Sequence, residues 1–394
     1  MLAGVLTSCT DNNSKNKTTA SGELKMLPSP ASDSCALPSL FTDKNGLVYL
    51  SWVEKKGKES TFKFSTLTND QWSEPAKISS GNNWFVNWAD YPLITSDGNN
   101  NMLAHFLEKS DTGKFTYDVK YKVSSDKGIT WSEPKILHDD GKQAEHGFVS
   151  MVPFGDNYFL SWLDGRNAAM VEGEGHEGHH GEMTIRGAVV SKNGTKAEEW
   201  ELDKRVCDCC QTSATITDNG PVVIYRDRSD EEIRDMSIVR LVNGQWTEPQ
   251  SIFSDNWKIT GCPVNGPSAD AKGNNLAIAW FTVQNNEGKV KVIFSNDGGA
   301  SFKEPVSIDE GKPIGRVDLL MLDEKAAMVS WMEGKDIKAV RVNADGTKGQ
   351  SILIGTSSEA RSSGFPQMTR AGDKLLFAWS DAATKTIKVV SISL

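Results

Sequence analysis

The chain has no apolar run of transmembrane length and no long segment with helical periodicity. A spanning helix and an α-helical repeat are both excluded as its organising principle. Basic charge is scarce as well: 43 Lys and Arg stand against 52 Asp and Glu in 394 residues, a formal net charge of -9. A surface that neutralises phosphates needs a basic face, so nucleic acid is not an expected partner, and neither is an anionic membrane surface.

What the chain does have is a repeat. An apolar run ending in an aromatic recurs seven times, at Trp52, Phe106, Trp162, Tyr225, Trp280, Trp331 and Trp379. The intervals of about 48 to 63 residues suit a four-stranded blade of a β-propeller. Between the repeats lie two copies of a turn motif, Ser124-Ser125-Asp126-Lys127-Gly128-Ile129-Thr130-Trp131 and Ser295-Asn296-Asp297-Gly298-Gly299-Ala300-Ser301-Phe302. The glycine supplies a positive φ and the aspartate accepts backbone N–H bonds, the chemistry of a tight hairpin. Trp72, Trp131, Trp246 and Phe302 each precede a residue-Glu-Pro sequence that announces an outer edge strand, with degenerate versions near Trp200 and Gly349.

The seventh unit ends without an outer strand. Gly22–Leu27, ahead of the first unit, can supply it and remove an exposed edge. The expectation is one all-β domain over 23–394, a seven-bladed β-propeller closed by its N-terminal strand, with six blades as the alternative. Residues 1–9 end in Leu6-Thr7-Ser8-Cys9, which looks like a shortened bacterial lipobox with Cys9 as the lipidated residue. The polar run 10–22 reads as a disordered tether. Together they predict an exported, lipid-anchored monomer of the bacterial cell envelope, in the periplasm or at the outer membrane.

In such a meander the Asp-containing hairpins lie on one face. The connections on the other face collect the unusual residues. They carry Asn87 and Asp90, Glu145 and His146, Arg166, Cys207-Asp208-Cys209-Cys210, Arg228, Cys262 with Asn265, Arg316 and Arg361. Three sulfurs in four residues favour a soft metal, copper or zinc, bound by Cys207, Cys209, Cys210 and Cys262; disulfides are the alternative. His146 and the glycine-rich insertion bearing His176, His179 and His180 are candidate further ligands. Planar guanidinium groups suit a carboxylate or sulfate, so Arg166, Arg228, Arg316 and Arg361, with Asn87 and Asn265, are candidate anion ligands; pairing with neighbouring aspartates is the alternative.

The two turn motifs resemble the Asp-box of the sialidase-like β-propellers, also called the BNR repeat, and over about 30–394 the chain looks like a bacterial exo-sialidase-like protein. The resemblance implies binding or hydrolysis of an acidic glycan, with exo-α-sialidase-type glycoside hydrolysis as the implied activity. On that analogy Asp90 or Glu145 would be acid/base and Tyr225 the nucleophile. The Phe/Tyr-Arg-Ile-Pro motif that places one triad arginine in those enzymes is missing near the first unit. Metal binding or redox chemistry at the cysteines, and a non-catalytic scaffold for a partner protein, therefore stand beside the glycan reading.

Overall fold

The computed structural model describes residues 22–170 and 179–394. Cys9, most of the proposed tether and His176 lie outside the described residues; His179 and His180 are placed as backbone only. The fold is a β-propeller of seven blades, 58% strand and 1% helix. Each blade is an antiparallel sheet whose first strand is innermost, as in Cys35–Thr42, Val48–Lys56, Glu59–Thr68 and Ala76–Gly81 of blade 1. The seven repeat aromatics all fall on second strands and are buried, none more than 2% exposed.

These aromatics hold neighbouring blades together. Trp52 of blade 1 packs with Leu376, Ala378 and Val389 of blade 7, and Trp280 of blade 5 with Val222 and Ile224 of blade 4. Truncating so large a buried side chain costs about 3–5 kcal/mol in general, so the repeated aromatic fixes blade spacing as well as stability. The degenerate outer strands are present too, as Lys196–Asp203 around Trp200 and Ile352–Thr356 just past Gly349.

Closure follows the sequence expectation. Lys25–Leu27 pairs antiparallel with Thr386–Ser393, Lys25 opposite Ser391 and Leu27 opposite Val389, as the outer strand of blade 7. Both Asp-containing motifs form hairpins against the first turn of their own blade, with Lys127 N–H donating to the Asn100 carbonyl and Gly298 N–H to that of Asn274. That puts the hairpins on one face. The first strands surround an axial cavity of ≈ 340 Å³, lined by residues from all seven blades, including Asp90, Asp270 and Asp318.

Candidate functional site

On the face opposite the Asp-boxes, the segment from Cys207 to Cys210 joins the outer strand of blade 3, Lys196–Asp203, to the inner strand of blade 4, Ser213–Thr217. Its backbone is tied where it begins, and a side chain holds it where it ends. Val206 N–H donates to the Met183 carbonyl and Cys207 N–H to that of Arg226. The Gln211 side chain donates to the Ala89 carbonyl and accepts from Gly266 N–H, reaching two other blades. Gly266 is needed there: a Cβ would lie 2.2 Å from the Gln211 carbonyl oxygen.

This scaffold turns three thiols toward one point. Cys207 Sγ lies 3.8 Å from Cys209 Sγ and 3.6 Å from Cys210 Sγ. Cys262, on the next connection, completes a second set with Asp208 and Cys209, each set having its ligand atoms within 4.8 Å of one another. The four cysteines singled out in the sequence therefore converge, and no disulfide joins the described cysteines. Cys207, Cys209 and Cys210 are 1%, 4% and 2% exposed, whereas Cys262 is half-buried. Cys35 is buried elsewhere, on the first strand of blade 1.

Charge around the sulfurs is arranged to suit anionic thiolates. Arg234 donates to Cys207 Sγ at 3.2 Å and to Asp208 at 3.2 Å, and Arg226 adds positive charge near Cys210. Burial pushes the Cys207 thiol up to about 11. Metal binding must therefore displace a proton from Cys207 at neutral pH.

The nominated arginines are committed to the fold. Arg166 grips Asp164 through Nε and Nη2 at 2.8 Å each and also reaches Glu199. Arg228 pairs with Glu232. Arg316, 5% exposed, donates to the carbonyls of Gly364, Glu359 and Ala360, and burial lowers its guanidinium to about 10. A triad of Arg166, Arg228 and Arg316 is thus not free for a ligand carboxylate; the alternative raised by the sequence, pairing with a neighbouring aspartate, describes Arg166, whereas Arg228 is held by a glutamate and Arg316 by carbonyls. Arg361 differs: it is exposed, lies over the Trp88 ring, and has no side-chain hydrogen bond or ion pair to a described residue. Asn87 caps Ala89 N–H, and Asn265 Oδ1 accepts from Arg316 N–H; both hold loops.

The nominated catalytic groups are also internal. Tyr225, 1% exposed, donates to Asp203 at 2.7 Å, so its hydroxyl is occupied and shielded from a substrate. The structure corrects its candidacy as nucleophile. Asp90 and Glu145 do come together, bridged by the Tyr117 hydroxyl at 3.3 and 2.8 Å. Asp90 also accepts from Phe148 N–H, an approach that requires glycine at 147, where a Cβ would meet Asp90 Oδ2 at 2.0 Å. Burial raises Asp90 to about 7 and Glu145 well above the usual carboxylate range. Tyr117 and Gln211 were the unforeseen members; only Gln211, next to the cysteine segment, had a positional signal.

His146 lies outside the sulfur site, within two other groups, each with its ligand atoms within 4.8 Å of one another, Asp118 with His138 and His146, and Asp140 with His146 and Asp164. Its ring stacks on His138 with centroids 3.5 Å apart, and its nitrogens go to Asp140 and the Tyr117 carbonyl rather than to sulfur. Asp164 and Arg166 extend the same buried chain of charges, which joins blades 2 and 3.

A family model described as the BNR repeat-like domain matches residues 58–377. The chain belongs to the BNR repeat-like domain family. Among solved structures, this BNR-repeat propeller is similar to the polysaccharide lyase Uly1, at 9% identity and a TM-score of 0.53, covering 90% of this chain and 89% of that one. It is also similar to a PL25 ulvan lyase, at 16% identity, TM-score 0.49 and 78% coverage of each chain. The NanB sialidase of Streptococcus pneumoniae aligns at 10% identity, TM-score 0.47, over 88% of this chain and 83% of that one. No curated protein matches the sequence. At these identities the likeness to Uly1 speaks for fold alone.

Proposed function

We propose that this BNR-repeat propeller binds a soft metal ion, copper(I) or zinc, through Cys207, Cys209, Cys210 and Cys262. The observation that carries the reading is the convergence of four cysteines from two connections, at spacings a metal shell can accept. A tetrahedral shell with metal–sulfur bonds of about 2.3 Å has sulfur–sulfur edges of about 3.8 Å, and the separations here are 3.8 and 3.6 Å. Two sulfurs in van der Waals contact stand about as far apart, so what marks the site is that three thiols of one segment and a fourth from the next connection meet beside a guanidinium that offsets their negative charge. His179 and His180 remain candidate additional donors on the same face.

Export behind a lipid anchor at Cys9 is part of the proposal, supported by the lipobox-like end and the polar run after it. The ion would then also protect the thiols from oxidation in an oxidising compartment.

Elemental analysis of the anaerobically purified full chain, paired with a free-thiol count, tests the metal site. One ion per chain is expected, lost in Cys209→Ser and retained in Cys35→Ser. Disulfide-bonded cysteines, or an ion content indifferent to Cys209, would overturn it.

A second reading, recognition of an acidic glycan, is supported by two observations: the fold is shared with a polysaccharide lyase, and Arg361 lies open on the Trp88 ring. It calls for binding rather than sialidase-type hydrolysis, because the Tyr225 hydroxyl that would serve as nucleophile is buried and held by Asp203. Loss of acidic-polysaccharide binding in Arg361→Ala would favour it; turnover of a fluorogenic sialoside that is lost in Asp90→Asn would restore the hydrolase.

A further inference from the structure

The thiol site is asymmetric. Cys207, Cys209 and Cys210 are buried in one segment, clamped by Gln211 and Arg234. Cys262 comes from the neighbouring connection and follows the exposed pair Thr260-Gly261, where a Cβ on Gly261 would meet nothing closer than 4.0 Å. Only past Cys262 is that connection anchored again, where Arg226 grips the Asn265 carbonyl. Three donors thus sit on a fixed base and one on the solvent side.

Resting on the metal-binding reading, we propose that Cys262 is the exchangeable ligand of this site, and that the ion is copper(I) carried as transferable cargo. A structural zinc site is closed by four equivalent, shielded ligands. Copper(I) selects soft thiolates and is satisfied by three of them, so a buried three-sulfur base keeps the ion while the fourth ligand comes and goes. An incoming donor cannot reach sulfurs that are 1–4% exposed. It can reach Cys262. The partner is therefore a carrier presenting its own thiol.

In the transfer step a copper–sulfur bond to the carrier forms as the bond to Cys262 breaks. The proton leaving the carrier's thiol is taken up by the Cys262 thiolate. Copper stays in the +1 state throughout and no oxidant or reductant is needed. The bonds to the three inner sulfurs are exchanged in the same way, once the ion has been drawn to the solvent side.

The test loads the full chain with one equivalent of copper(I) anaerobically, measures bound copper, and follows transfer to excess bathocuproine disulfonate. If the wild-type chain retains no copper, the metal-binding reading itself fails, and this appears at loading, before any rate is measured. Given loading, Cys262→Ser should still hold one copper per chain but release it roughly tenfold slower or more, because transfer must then await local opening around the buried sulfurs. Unchanged or faster release would overturn the exchange role. So would loss of copper from Cys262→Ser, which would make Cys262 an obligatory fourth ligand. Should that variant fail to fold, iodoacetamide labelling of the folded apo chain replaces it: among Cys35, Cys207, Cys209, Cys210 and Cys262, mass spectrometry should find only Cys262 modified, with the same slowed transfer, and labelling of the inner cysteines first would refute the asymmetry.

Discussion

The two faces of the propeller solve the same problem, satisfying the polar atoms of loops, by opposite means. On the Asp-box face the two motif turns satisfy themselves mainly from within and add one bond each to the first turn of their own blade. Ser124 accepts from Gly128 N–H at 2.8 Å while Asp126 accepts from Thr130 N–H at 2.9 Å; in the second copy Ser295 and Asp297 do the same at 2.9 and 3.0 Å. On the other face, beside local pairs such as Arg166 with Asp164, many partners are distant in sequence. Arg316 reaches Gly364, Gln211 reaches Ala89 and Gly266, and Asp90 reaches Phe148. Local turns can be copied from blade to blade without changing anything else, whereas cross-blade bonds make each connection on the other face unique. That is where side chains can be brought together for a purpose.

If this contrast is right, substitutions on the two faces should differ in size. Arg316→Ala should have the largest effect, about 3 kcal/mol lost in denaturant unfolding, because the buried Gly364 carbonyl and those of Glu359 and Ala360 lose their donor at once and the buried side chain leaves a cavity. An unchanged midpoint would mean that Arg316 is free for a ligand after all. Next comes Asp90→Asn. Its carboxyl titrates at about 7 in the folded chain, whereas the unfolded chain releases that proton near the ordinary value of about 4. The unfolded chain thus binds fewer protons between about pH 4 and about pH 7, and wild-type stability must fall as pH rises through that window. Asparagine, which does not titrate there, should flatten the fall by roughly 2 kcal/mol, leaving the part due to Glu145. Melts at pH 5 and pH 8 decide it; parallel curves for both proteins would place the proton elsewhere. Smallest is Ser124→Ala on the Asp-box face, about 1 kcal/mol, because only the turn's own bonds are lost. A cost matching that of Arg316→Ala would erase the distinction between the faces.

The same contrast explains how much could be read from the sequence. The seven aromatics, the Asp-boxes and the closing strand are local or periodic signals, and each led directly to its place in the fold. The cysteines were legible because three of them share one segment and the repeat brings Cys262 onto the next connection. The arginines were not: Arg316 is held by carbonyls of Gly364, Glu359 and Ala360, and a backbone carbonyl leaves no mark on the residue type around it. The setting of His146 was hidden for a related reason, since Asp140 and Asp164 compete for it as ordinary carboxylates and nothing in their spacing announces that they flank one imidazole. Tyr117, which joins Asp90 to Glu145, looks like any strand tyrosine.

The pairing of Lys25 with Ser391 has a consequence for the order in which the molecule is made. The first described strand leaves the ribosome long before its partner exists, and it must wait unpaired through the synthesis of nearly the whole chain. The other blades can form in sequence behind it, each a local meander, but the ring cannot close until the last residues arrive. Closure therefore comes after the last blade has formed, and until it occurs the last sheet lacks its outer strand and Lys25–Leu27 lies unpaired, both open to any neighbour able to pair with them.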